Sequence, residues 1–185
     1  MRDWIKDKSV YIGSPDDKLL QFNRIVRYLK RWRDENFSED VAAKVYSIGI
    51  TVMAKQSFSP SFDDDGAPED LTVLKSTVSQ MLVGGFFTAL GNDQYQVSVN
   101  LPVQPWRDIF DGASVGTTTQ FRNKLDRLES KLQNAISEEG EIKKCKILRE
   151  MFGDDFPVPE KSSNSSNTKK AVYSSAGAVG TSQGA

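Results

Sequence analysis

Residues 17–37 read DKLLQFNRIVRYLKRWRDENF, and this stretch decides the fold class. At the 100° per residue of an α-helix, Leu19, Phe22, Ile25, Val26, Leu29 and Trp32 gather on one broad face. The turn signal Gly13-Ser14-Pro15-Asp16 stands just ahead of them. The pattern predicts a long amphipathic helix that must bury that face against other elements.

Working outward, residues 41–58 carry Tyr46, Ile48, Ile50, Val52 and Met53 and predict a second helix, stopped at Ser59-Pro60. An acidic loop, Asp63-Asp64-Asp65-Gly66-Ala67-Pro68, precedes a third predicted helix over 69–90. Residues 118–136 (Phe121, Leu125, Leu128, Leu132, Ile136) predict a long helix, and 141–152 a shorter one stopped by Gly153. Only Tyr95, Val97 and Val99 alternate with polar residues as a half-buried strand does. Its partner is expected either in residues 9–12 or in sequence outside the chain. The expected class is mainly α with a small β element.

A chain of 185 residues supports one folded body. Residues 161–185 hold 18 Ser, Thr, Asn, Gly and Ala in 25 positions, with three Lys and no acid. They read as a flexible tail on a domain spanning 1–160. The 24 Lys+Arg and 25 Asp+Glu of the chain become 21 and 25 in that domain, a net charge of −4. This argues against nucleic-acid binding over the whole surface and confines any anion site to a local patch.

The longest apolar run, 81–90, is interrupted by Gly84-Gly85 and falls short of the roughly 18 residues of a membrane span. Residues 1–7 lack the apolar core of a secretion signal. With a single Cys145, these features predict a soluble, cytoplasmic protein. The absence of histidine excludes Ser/His/Asp and Cys/His catalysis and the usual zinc sites.

The densest chemical signal is six cations in 16 positions: Lys18, Arg24, Arg27, Lys30, Arg31 and Arg33. Arg24, Arg27 and Arg31 fall within about 60° opposite the apolar face, and Lys30 lies on the flank. The pattern fits a solvated face, or a phosphate-binding face in which Lys30 reaches into a cleft. Arg33 sits inside the apolar arc, where a carboxylate partner in a structural role is expected. Ser47 has two readings: a mid-helix hydroxyl bonded back to its own backbone, or, if a helix starts there, a hydroxyl facing an anion beside free N–H groups. Asp63-Asp64-Asp65 reads as an ordinary acidic loop, Gly13-Ser14 as a turn and Gly84-Gly85 as a helix-packing contact. Trp106 and Cys145 are expected in or near the core.

Several strings together carry a resemblance: residues 24–34 (RIVRYLKRWRD), Tyr46-Ser47-Ile48, the strand exit Val99-Asn100-Leu101-Pro102-Val103, and residues 148–157 (LREMFGDDFP). Residues 1–160 resemble the C-terminal half of bacterial cGAS/DncV-like nucleotidyltransferases, the cyclic dinucleotide synthases of antiphage signalling. The resemblance implies the helical C-terminal domain of a polymerase-beta-like nucleotidyltransferase, with a donor ATP or GTP bound in the cleft toward the catalytic sheet. It implies Lys30 and Ser47 on the donor triphosphate; Arg24, Arg27 or Arg31 are read as lesser phosphate contacts. The Gly-Ser and Asp-x-Asp machinery that holds Mg²⁺ in that family has no match, since Gly13-Ser14 leads into a helix. The catalytic sheet is therefore expected to be largely missing, the chain to be a fragment with a late start, and the chain alone to be inactive. In some such systems an E1/E2-like enzyme conjugates the synthase through its C-terminal residues, here Gly184 and Ala185. The alternative is a stand-alone helical interaction module acting through the tail.

Overall fold

The computed structural model describes residues 15–159. Along the chain run α1 (Pro15–Asn36), the single turn α2 (Glu39–Ala42), α3 (Ser47–Ser57), α4 (Asp70–Val83), β1 (Phe87–Gly91), β2 (Gln94–Val97), α5 (Val115–Ser137) and α6 (Glu141–Phe152). The fold is mainly helical with one two-stranded antiparallel sheet. No helix among the described residues is long and apolar enough to cross a membrane.

The apolar stripe of α1 is the core stripe: Phe22, Ile25, Val26, Leu29 and Trp32 are buried, and α3, α4 and α6 pack on it. In α5, Phe121, Leu125, Leu128 and Leu132 point the same way. Phe121 is the meeting point of the aromatic core. Its ring lies 6.4 Å from Trp32 and from Phe37, 5.8 Å from Phe87, and stacks on Phe110 at 5.9 Å. One side chain of α5 thus ties together α1, the hairpin and the loop that precedes α5.

Four expectations need correction, among them the place of the strand that pairs with β2, which is β1 and neither residues 9–12 nor sequence outside the chain. The segment 41–58 is not one helix: α2 ends at Ala42, and the chain turns inward so that Val45 is fully buried before Tyr46, extended, opens α3. Burial of Val45 outweighs helical continuity, and no Gly or Pro marks the break. The helix expected over 69–90 stops at Val83, where Gly85 takes a left-handed φ of +82° that a side chain would resist.

Beyond Gly85 the chain forms the partner strand instead of more helix. β1 pairs with β2 through Phe87↔Val97 and Ala89↔Tyr95, across a turn in which Asn92 and Asp93 both have positive φ. The hairpin is fastened to α5, with Thr119 Oγ1 accepting from Tyr95 N–H at 2.9 Å and Thr118 O–H donating to Tyr95 O at 2.5 Å. Finally, Trp106 is 57% exposed, at φ +49° on the tip of the loop before α5, and is not a core residue. The other strand candidate, 9–12, and the residues Gly13, Ser14, Gly184 and Ala185 lie outside the described residues.

The end of the domain is locked onto α1. Arg31 Nε donates to Phe152 O at 2.8 Å, and Asn36 Nδ2 donates to Met151 O at 2.8 Å. Arg149 donates twice to Phe156 O. Gly153, at φ +96°, makes the turn against Glu35, where a Cβ would lie 2.6 Å from the carboxylate.

Phe121→Ala is expected to lower unfolding stability by about 3–5 kcal/mol, the cost of a cavity bordered by four rings that cannot all collapse inward. Chemical denaturation measures it; a loss under about 1 kcal/mol would mean that Phe121 does not organise the core.

Candidate functional site

The cations of α1 divide by what surrounds them. Arg24 is spent on Asp70 at the start of α4, with Nε–Oδ2 2.5 Å and Nη2–Oδ1 3.0 Å. The hydrogen bonds that Arg24 donates to the Asp70 carboxylate raise the guanidinium pKa against the opposing effect of burial. Arg31 pairs with Asp155 and with Glu35 and binds Phe152 O. Both are engaged in ion pairs that hold elements of the fold together. Lys30 and Arg27 have no hydrogen-bond or ion-pair partner among the described residues; Arg27 is exposed and Lys30 half-buried. They stand three positions apart, with Arg33 three further on, so each lies about 60° round the helix from the next: Arg27 opposite the apolar face, Lys30 on the flank and Arg33 inside the apolar arc.

Arg33, inside the apolar arc, reaches the start of α3. Ser47 is the first residue of α3, so its hydroxyl does not bond back within a helix; that role falls to Thr51, whose hydroxyl donates to Ser47 O at 2.8 Å. The Ser47 oxygen instead accepts from Arg33 Nη1 at 2.5 Å. Arg33 does pair with a carboxylate, Asp34 at 2.5 Å, as its place in the apolar arc suggested, but it also reaches Ser47 and Val45 O.

The α3 N-terminus has no side-chain cap and no acidic residue in its first turn. The first internal backbone bond there is Ile50 N–H to Tyr46 O, leaving the N–H groups of Ser47, Ile48 and Gly49 at the positive end of the helix dipole. Uncapped amides and a serine hydroxyl are parts of an anion site, and Lys30, one turn before the Arg33 that reaches Ser47, has no partner among the described residues.

Beside it opens a groove of about 360 Å³ lined by Tyr46, Ile48, Leu101, Arg107, Ile109 and Asp111, among others. The floor is fixed from below. Gly49 lets Phe110 approach so closely that a Cβ would lie 2.5 Å from its ring, and Asp108 Oδ1 accepts from both Val99 N–H and Phe110 N–H. Sequence pattern alone missed this groove, because loop 100–112 shows no periodicity. A second groove, about 370 Å³ and lined by Gln56, Ser57, Gln80 and Phe86, lies at the far end of α3 and carries no charged side chain.

The remaining candidates do not assemble. Among the described residues no three His, Cys, Asp or Glu side chains cluster as metal ligands. Asp63 Oδ1 is engaged by the N–H groups of Asp65 and Ala67 within its own loop, at 3.1 and 2.7 Å. Residues 15–159 therefore do not fit the Mg²⁺ site that the resemblance implies. Cys145 is half-buried on α6, and burial, then the charge of Glu141, push its thiol above the usual range, with Lys144 opposing. That is the opposite of an activated nucleophile.

No family model matches the chain, and no curated protein matches it.

Gly49→Ala is expected to cost about 1–3 kcal/mol of stability, because Phe110 is buried and stacked on Phe121 and cannot yield without disturbing the core. Thermal or chemical unfolding of the variant checks it; wild-type stability would mean that the contact is loose.

Proposed function

We propose that this chain is the donor-nucleotide-binding helical part of a cyclic dinucleotide synthase of antiphage signalling, and that it holds the triphosphate of ATP or GTP at the start of α3. The observation that carries the reading is that α3 begins at Ser47, uncapped and free of acids, and is reached by Arg33 of α1, one turn beyond Lys30, which has no partner among the described residues. Three backbone N–H groups and a hydroxyl supply directional donors for phosphate oxygens, and the lysine supplies charge that surface water screens only in part. Arg27, one step back along α1, adds a more exposed and weaker contact. The groove under Tyr46 and Ile48 offers an aromatic and apolar wall for the base next to the phosphates. The resemblance of the strings around Lys30 and Ser47 to the cGAS/DncV-like family supports the same assignment from the sequence side.

Synthesis needs carboxylates that the described residues do not bring together, so the role assigned to this part is binding and orientation of the donor. Lys30 orients and neutralises the phosphate chain, and the amides of α3 fix its direction.

The test is titration of the purified chain with Mg·ATP and Mg·GTP by calorimetry. Lys30→Ala is expected to weaken binding about tenfold, the worth of one charge-assisted contact, with an unchanged melting temperature. Equal affinity for Lys30→Ala and the parent chain, or no binding by either, would contradict the assignment.

A further inference from the structure

We propose that Arg33 is a positioning residue of this phosphate site: its guanidinium takes the Ser47 oxygen as an acceptor and so turns the Ser47 O–H outward as a donor to the ligand phosphate. The inference rests on the reading of Lys30 and Ser47 as triphosphate contacts and assigns how one of those contacts is made.

Nη1 lies 2.5 Å from Ser47 Oγ and 3.3 Å from Val45 O, while Nε and Nη2 reach Asp34 Oδ1 at 2.8 and 2.5 Å. A guanidinium has five N–H donors and no acceptor, so at this contact the serine oxygen can only accept. Its one proton is left for another partner. The usual alternative, donation to a carbonyl one turn back, belongs to helix interiors, and Ser47 is the first residue of α3.

Four of the five N–H groups of Arg33 are committed by these contacts, and its side chain is only 16% exposed. The fork is therefore held in place. Its charge is met by Asp34 on the solvent side, so Arg33 is poorly placed to bind phosphate itself. Lys30, one turn earlier on α1 and without a partner among the described residues, is the cation assigned to the ligand. The division of labour is then explicit. Lys30 supplies charge, the α3 amides supply direction, Ser47 supplies one O–H, and Arg33 acts through Ser47.

The experiment measures binding of inorganic triphosphate with Mg²⁺ to the full chain by calorimetry, beside a thermal melt for each variant. Arg33→Met keeps the aliphatic stem and removes every donor; Arg33→Lys keeps one donor on a similar stem. Ser47→Ala and Arg33→Met are each expected to weaken binding about tenfold, and the double variant to be no weaker than Ser47→Ala within about twofold, because one contact can be lost only once. Arg33→Lys is expected to stay within about threefold of the parent.

Parent-like binding by folded Arg33→Met, or losses that multiply in the double variant, would overturn the proposal. So would a loss of more than about tenfold in an Arg33→Lys chain that melts normally, and this arm decides if Arg33→Met does not fold. If Lys30→Ala and Ser47→Ala both bind like the parent, the phosphate site itself fails, an outcome separable from failure at Arg33 alone.

Discussion

The structure depends on the aromatic contact set around Phe121. Its ring is shared by Trp32 of α1 and Phe110 of the loop that runs under α3. Phe110 in turn presses on Gly49 and faces Tyr46 at 6.0 Å. Trp32 is followed directly by Arg33, and Tyr46 directly by Ser47. The distance from α1 to the first turn of α3 is thereby set by this packing together with the bonds from Arg33 to Val45 O and Ser47 Oγ. Close-packed rings tolerate little displacement, which adds to the rigidity of a hydrogen-bonded site.

Charge is distributed to match. Three of the six cations of α1 serve the fold: Arg24 fixes α4 through Asp70, Arg31 fixes the C-terminal turn through Asp155 and Phe152 O, and Arg33 spans Asp34, Val45 and Ser47. At the far end of α1, the carbonyl of Asn36 is met by Lys124, whose ammonium also sits 4.5 Å from the Phe37 ring. Burial, with a smaller contribution from Arg127, lowers the pKa of that lysine. Lys30 and Arg27 have no partner among the described residues, and Lys18 Nζ, near the start of the same helix, is buried without a hydrogen bond.

The long helices were legible because each buries a stripe, and a stripe has a period: Phe22 to Trp32 in α1 and Phe121 to Leu132 in α5 appear where the 3.6-residue pattern puts them. The start of α3 was legible only as an alternative, since the break at 43–46 comes from the burial of Val45 and carries no Gly or Pro. The hairpin was missed although its turn was written in the sequence: Gly91-Asn92-Asp93 ahead of Tyr95 supplies the residues that accept positive φ, but the apolar run 81–90 read as helix. Arg33 was placed correctly as a paired residue. Its reach to Ser47 was beyond pattern reading, because that contact joins two elements across an irregular loop. The groove under Tyr46 was illegible for the same reason, and exposed Trp106 shows that a large apolar residue in a loop carries no period from which burial can be inferred.

The most direct test of the site is an amide NMR titration of the chain with Mg·GTP and Mg·ATP. The largest and saturable shifts are expected at the backbone amides of Ser47, Ile48 and Gly49, with smaller ones at Lys30 and along the adjoining flank of α1. Shifts centred instead on the Gln56–Gln80 groove, or spread evenly over the basic residues of α5 and α6, would contradict a phosphate site at the start of α3.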